Sequence, residues 1–354
     1  MITSVTALRP HPEAASAPLN RTRSGSVRAV GLLALLVALG LATVAGLAVG
    51  ARSIPPLEVL QILLGSDTGP NAVVINELRF PRTVIAIVAG AALGVAGALI
   101  QAVTRNPLAD PGILGVNSGA AFAMAVGTGL LGVSGAVGTL TLAYMGAFGA
   151  SLLVYAIGSL GRGGGSPVRL ILAGVALGAV LAGITRAIVL TDRERFAGMT
   201  AWESGSLLDR DTSLLGPAIP LTLFGLGIAL AIGSSLNAIA LGDDLASALG
   251  ANVLRTRVLA VTAVMLLAGT ATALAGPISF VGLMVPHVAR WIVGPDQRWI
   301  IAYSVVAAPT LLLFADVVGR VVLSPAELPA GIVTALIGAP VLIVLVRQRK
   351  ASEL

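Results

Sequence analysis

The chain has 354 residues, of which only 22 are basic and 16 acidic. That makes it 11% charged and 56% hydrophobic, with a mean hydropathy of +0.97, where a soluble domain averages about 25% charged. So few charges cannot cover a water-facing globule of this length, which excludes a cytosolic enzyme and a disordered tail protein and makes the bilayer the main solvent.

Residues 1–27 are polar and rich in Pro, Ser, Thr and Arg, and read as a disordered cytoplasmic tail. A span needs about 20 apolar residues. Runs of that size cover 28–50, 82–104, 111–133, 135–160, 168–191, 214–236, 299–323 and 329–346. The first is too long for a signal-peptide core. The stretch Val258–Ala289 carries no formal charge over 32 residues. As one helix it would measure about 48 Å, against a hydrocarbon core of about 30 Å. Gly276-Pro277 offers a break near its middle, giving one bent span or two short ones.

Charge decides between them. The N-terminal tail carries Arg9, Arg21, Arg23 and Arg28, and the C-terminal tail carries Arg347, Arg349 and Lys350. Both belong inside by the positive-inside rule, which requires an even number of spans. Ten spans put 14 of the 22 basic residues inside. The expected fold is therefore an all-α polytopic membrane protein, with a ten-helix transmembrane domain over 28–347 and a cytoplasmic tail over 348–354.

Several functions are excluded by single residue types. Lys350 is the one lysine, so no Walker A site exists in this chain and any ATP hydrolysis belongs to a partner. Cysteine is absent, and the two histidines, His11 and His287, are far apart. No thiolate site, structural zinc site or catalytic constellation is expected. The basic residues flank apolar runs, which marks topology rather than nucleic-acid binding.

Four features carry chemistry. The stretch Arg79-Phe-Pro-Arg82 opens one span, and Gln101-Ala-Val-Thr-Arg-Asn-Pro-Leu-Ala-Asp-Pro-Gly-Ile-Leu-Gly115 closes it. Pro107 and Pro111 stop helices, and Asn106 and Asp110 cap the turns that come after them, so this is a rigid elbow on the inner side. In Leu241–Gly250, Asp243 and Asp244 favour the start of a short helix and Gly250 ends it. Leu245, Ala248 and Leu249 share one face of it. Arg79, Arg82 and Arg320 map to outer helix ends, where guanidinium groups pair carboxylates bidentately. Asp316 stands four residues before Arg320, the spacing of an i,i+4 ion pair. His287 is expected in a structural hydrogen bond and Trp202 at the lipid–water boundary.

These stretches resemble the membrane subunits of ATP-driven importers for iron–siderophore, haem and vitamin B12. The shared pattern is R-x-P-R, then Q-x-x-x-R-N-P-L-A-x-P-x-x-L-G. It continues with Ser166-Pro-Val-Arg-Leu170, Leu172–Gly178, Trp202–Leu207, Leu241–Gly250, Gly276–His287, Asp316 with Arg320, and Glu327–Pro340. The resemblance covers about residues 30–347, and its wording is nearest to the ferric-enterobactin (catecholate) branch.

The resemblance implies half of a dimeric type II importer pathway in a bacterial plasma membrane, with both termini cytoplasmic. Its partners would be a second permease subunit, identical or homologous, two ATPase subunits that bind ATP and Mg, and an extracytoplasmic substrate-binding protein. The cargo would be a ferric siderophore, and this chain would hold no cofactor or metal of its own. By resemblance, Arg79, Arg82 and Arg320 meet glutamates of the binding protein. Asn106, Leu108, Ser166, Pro167 and Val168 form the cytoplasmic gate. Gly242, Asp243, Asp244, Leu245, Ala248, Leu249 and Gly250 form the helix that couples to the ATPase. Pro167 and Val168 differ from the hydroxyl residues that vitamin B12 importers commonly carry there. Two other readings stand beside this one: a cation-coupled secondary transporter, which needs midplane carboxylates, and a membrane-embedded enzyme, which needs a cluster of His, Asp or Glu.

Overall fold

A computed structural model of the chain describes residues 24–66, 69–159, 167–192, 202–208 and 212–352, together with 196, 199 and 210. Among these, ten helices have 13 or more residues: α1 (Gly25–Ala48), α2 (Phe80–Thr104), α3 (Val116–Gly129), α4 (Ala136–Ser159), α5 (Pro167–Thr191), α6 (Leu215–Ile239), α7 (Val253–Ala275), α8 (Val281–Val293), α9 (Gln297–Val322) and α10 (Ala330–Ser352). Seven helical stretches are long and apolar enough to cross a membrane, and α8 and the apolar part of α10 are shorter. No strand occurs among the described residues.

The stretch at 258–289 is two helices. α7 ends at Ala275, Gly276 turns the chain at φ 78°, and α8 begins at Val281. Phe280, also at positive φ (69°), makes the second bend. Three boundaries differ from the sequence reading. The run 111–133 holds a helix of only 14 residues, because Pro111–Leu114 forms a 3-10 turn and Gly115 (φ 74°) breaks the chain before Val116. α10 continues to Ser352, into the expected tail, and α1 already begins at Gly25. The second span is part of a continuous helical stretch, Pro70–Thr104. It has a π-helical segment at Val74–Arg79, where the Phe80 N–H reaches back to the Ile75 carbonyl.

α2 is the axis of the molecule. It packs against α9, α7, α8 and α6, and it is buried along most of its length because its core-facing residues are chiefly Ala and Gly. Small residues let backbones approach closely where lipid gives no hydrophobic drive to associate. A Cβ on Gly97 would overlap the Gly282 backbone of α8, so only glycine permits that crossing. α7 is the second buried helix, whereas α1 and α5 turn most of their apolar surface outward. α1 lies against α9, and α3, α4 and α5 pack together on another side.

Successive helices alternate in direction. One end of the bundle, the elbow end, gathers Arg28, Arg105, Asp243 and Asp296. There the Tyr303 hydroxyl donates to the Arg28 carbonyl (2.6 Å), which seats the start of α1 on α9. The opposite end gathers Arg79, Arg82, Arg320 and Glu327.

Candidate functional site: an arginine cluster and a capped elbow

The three arginines expected at outer helix ends come together in space, although Arg82 and Arg320 are 238 positions apart in sequence. They do not stand in solvent. Arg79, Arg82 and Arg320 are 7%, 8% and 4% exposed. Burying a guanidinium requires acceptors, and this chain supplies them.

Asp316, 1% exposed, takes Arg82 by one edge: Nε donates to Oδ1 at 2.8 Å and Nη2 donates to Oδ1 at 2.6 Å. Arg320 Nη2 lies 3.0 Å from the other carboxylate oxygen, completing the expected i,i+4 pair. Arg320 Nη1 also donates to the Gly46 and Val49 carbonyls. Arg79 Nη1 donates to the Leu47 and Ala48 carbonyls and Nη2 to that of Arg52. Two arginines thus satisfy the carbonyls left open where α1 ends. The remaining edge of Arg82 carries Nη1, which donates to Glu327 at 2.6 Å.

A cavity of about 280 Å³ opens beside this cluster. Its wall carries Arg52, Arg79, Arg82, Arg210 and Arg320 against two glutamates, Glu77 and Glu327. The arrangement favours an anion. Charge on this wall can accept a carboxylate.

At the elbow end, α2 stops in a Schellman arrangement. The Asn106 N–H reaches the Gln101 carbonyl (3.2 Å) and the Arg105 N–H that of Ala102 (3.3 Å). Arg105 takes the left-handed position at φ 50°, which favours glycine. The cost of that backbone is about 1–2 kcal/mol, and it is offset by what the side chain does. Arg105 Nε donates to the Ile239 carbonyl (2.9 Å), and Nη2 pairs with Asp243. Asp243 also pairs with Arg257 at 2.9 Å.

The short helix expected at 241–250 is present as Asp243–Ala248. Gly242 precedes it and Gly250 (φ 84°) comes after it. Asp243 pins it to the end of α2 and the start of α7, while Leu245 and Leu249 point outward, 49% and 63% exposed. Ala248 is exposed as well, and Ala246 faces inward. An apolar face held rigidly at a helix-bundle end is shaped to enter a groove on a partner.

The expected gate residues are only partly described. Asn106 Oδ1 accepts from the Leu108 N–H (3.0 Å), and Asp110 Oδ1 accepts from the Gly112 N–H (2.8 Å). Both caps expected at the elbow are present. Burial pushes the Asp110 carboxyl above the usual carboxylate range, opposed by the Gly112 N–H. Ser166 lies outside the described residues. Pro167 and Val168 open α5.

Two side chains differ from or escaped expectation. Trp202 is 3% exposed, not at a lipid boundary, and its carbonyl lies against Gly276. Gly276 has no side chain, which lets the Trp202 carbonyl come this close. Gln101 donates its amide to the Gly282 and Leu283 carbonyls across α2 and α8, at 3.4 and 3.0 Å. His287 is buried, with its ring edge-on to Trp291 at 5.1 Å. Finally, a groove of about 660 Å³ runs along α10, lined by Pro277, Ser279, Phe280, Ile332, Leu336 and Ala339 among others.

Comparison with known proteins gives this geometry a context. The model of the FecCD transport family matches residues 35–348. The ferric enterobactin transport system permease protein FepD of Escherichia coli is 47% identical over 329 residues, 92% of this chain and 98% of that one. The Fe(3+)-citrate import system permease protein YfmD of Bacillus subtilis is 37% identical over 319 residues, 90% of this chain and 93% of that one. Among solved structures, an inward-facing metal-chelate type ABC transporter superposes with a TM-score of 0.78 at 29% identity, covering 90% of this chain and 99% of that one. With a family model spanning nearly all of the ten-helix bundle, the chain belongs to the FecCD transport family.

Proposed function

We propose that this chain is the permease subunit of an ATP-driven importer for a ferric siderophore of the catecholate type, set in a bacterial inner membrane. The observation that carries the substrate class is the 47% identity, across almost the whole of both chains, to a permease named for ferric enterobactin. The elbow end faces the cytoplasm in this reading, because most basic residues flank it. Both termini are then cytoplasmic.

The exposed face of Leu245, Ala248 and Leu249 enters a groove on one of two ATPase subunits, which bind ATP and Mg. Asp243 links that helix through Arg105 to Asn106 and Leu108, so movement of the ATPase is felt one residue from the gate. Pro167 and Val168 at the start of α5, with Ser166, supply the other part of the gate. A second permease subunit closes the groove along α10 into a pathway. A substrate-binding protein docks at the cluster of Arg79, Arg82 and Arg320, bringing carboxylates to a cavity with a cationic wall.

A cation-coupled carrier would need a carboxylate free to titrate within the membrane. Asp316 is committed to Arg82 and Arg320, which favours the importer. The test is reconstitution in liposomes with the ATPase and the loaded binding protein. Uptake of the ferric siderophore should require both; uptake that persists without the ATPase overturns the reading.

A further inference from the structure

The arginine cluster contains a carboxylate whose place suggests a role of its own. Asp316 holds the Nε and Nη2 edge of Arg82 from within the core and is 1% exposed. Glu327 holds the Nη1 edge, and its side chain is 27% exposed. The two acids therefore do different jobs on one guanidinium. Asp316 fixes the plane of Arg82, whereas Glu327 occupies the edge that opens on the cavity.

We propose that Glu327 is an internal stand-in for a partner's carboxylate. It occupies Arg82 while the outer face is undocked, and an acidic side chain of the docking protein displaces it. This rests on the docking role proposed above for the arginine cluster.

Three observations support it. The cavity wall carries five arginines and two glutamates, so a second anion can enter without facing a surplus of negative charge. Arg320 lines the same cavity, and its buried Nε has no hydrogen-bond partner among the described residues, so the acceptors of this chain do not saturate its guanidinium. The cavity, at about 280 Å³, has room for a carboxylate side chain and bridging water. Water reaches the Glu327 edge of Arg82, where the side chain is 27% exposed, and not the Asp316 edge. Solvent screening weakens an ion pair, whereas removing a fully buried partner costs about 3–5 kcal/mol.

The exchange has a structural destination. Glu327 lies in the link between α9 and α10, three residues before Ala330. The link is tied to α9 through the Leu328 N–H and the Gly319 carbonyl. Release of Glu327 frees the side of this link next to α10, the helix that lines the apolar groove. Docking at the outer face is thereby communicated to the pathway wall through a single ion pair.

The experiment measures affinity of the binding protein for the complete permease–ATPase complex in lipid nanodiscs, without nucleotide. The variants are Glu327→Gln, which keeps an acceptor for Arg82 but removes the competing charge, and the pair Arg52→Glu with Arg210→Glu, which reverses charge on the cavity wall. Melting temperatures check that each variant is folded. Glu327→Gln should tighten binding by about threefold to tenfold, and the reversed pair should weaken it. If Glu327→Gln leaves affinity unchanged or weakens it while the reversed pair still abolishes docking, the stand-in is overturned and the docking role survives. If the reversed pair has no effect either, the docking role itself fails, and the stand-in with it.

Discussion

Gln101 donates its side-chain amide to the carbonyl of Gly282, and Gly282 is the residue that Pro286 leaves unserved. A helical carbonyl is normally met by the N–H four residues on. Pro286 has none, and the gap falls inside α8. Gln101 fills it from the neighbouring helix and reaches the Leu283 carbonyl as well. A proline on one helix and an amide on another form one unit, five residues from Asn106.

That unit predicts a double-mutant result. Gln101→Leu alone should destabilise by about 1–3 kcal/mol, the cost of an unpaired buried polar group. Adding Pro286→Ala supplies the missing N–H, so the pair should lose less than the sum of the two single changes. Thermal unfolding of the four proteins in detergent measures the coupling; strict additivity would show that the amide is not replacing the absent N–H.

Asp316→Asn should be the most damaging single change in the arginine cluster. It removes the charge that holds both Arg82 and Arg320, at a cost of about 3–5 kcal/mol. Glu327→Gln, at a more exposed site, should cost below about 1 kcal/mol. Folded yield and melting temperature distinguish them, and equal losses would contradict the division of labour between the two acids.

Leu245→Glu with Leu249→Glu should leave the melting temperature of the isolated permease nearly unchanged. Both side chains are exposed, and substitutions at such sites usually stay within about 0.5 kcal/mol. Co-purification of the ATPase should fall at least tenfold. Retained co-purification would remove this helix from the coupling interface.

The elbow should show a pH dependence with a definite sign. Burial raises the Asp110 carboxyl in the folded state, above the unfolded value of about 4. The folded state then binds more protons than the unfolded one between the two values. Stability from this group is present below pH of about 4 and is lost as pH rises through the folded value. Asp110→Asn keeps an acceptor for the Gly112 N–H and should remove that loss. Its melting temperature relative to the unchanged protein should therefore rise between pH 4 and pH 8; a constant difference would rule out the titration of Asp110.

Much of the bundle was legible because hydropathy and charge are local properties. The break at Gly276-Pro277, the caps at Asn106 and Asp110, and the short helix opened by Asp243 all arise from residues adjacent in sequence. Burial was not legible. α2 and α1 have similar hydropathy, yet one is the buried axis and the other faces outward. What separates them is small-residue contact with distant partners: Gly97 meets Gly282, 185 positions on, and Gly90 meets Pro309, 219 positions on. The cluster was half legible for the same reason. The i,i+4 spacing foretold Asp316 with Arg320, but the pairing of Arg82 with Asp316 and Glu327 joins distant stretches. Gln101 stood in a visible motif, and its task appears only when α8 is laid beside it.

The unbroken helix that carries both chemical ends has a mechanical meaning. Arg82 lies near the start of α2 and Arg105 follows directly on its last residue, Thr104, so about 35 Å of helix lies between them. The ion pairs of the arginine cluster hold one end of that helix, and the salt bridges to the short helix hold the other. A tilt of about 5° about one grip would swing the other by about 3 Å over that length. A rotation of this helix at one end is therefore felt at the other, and the π-helical segment at Val74–Arg79 interrupts its regular ladder just before Phe80.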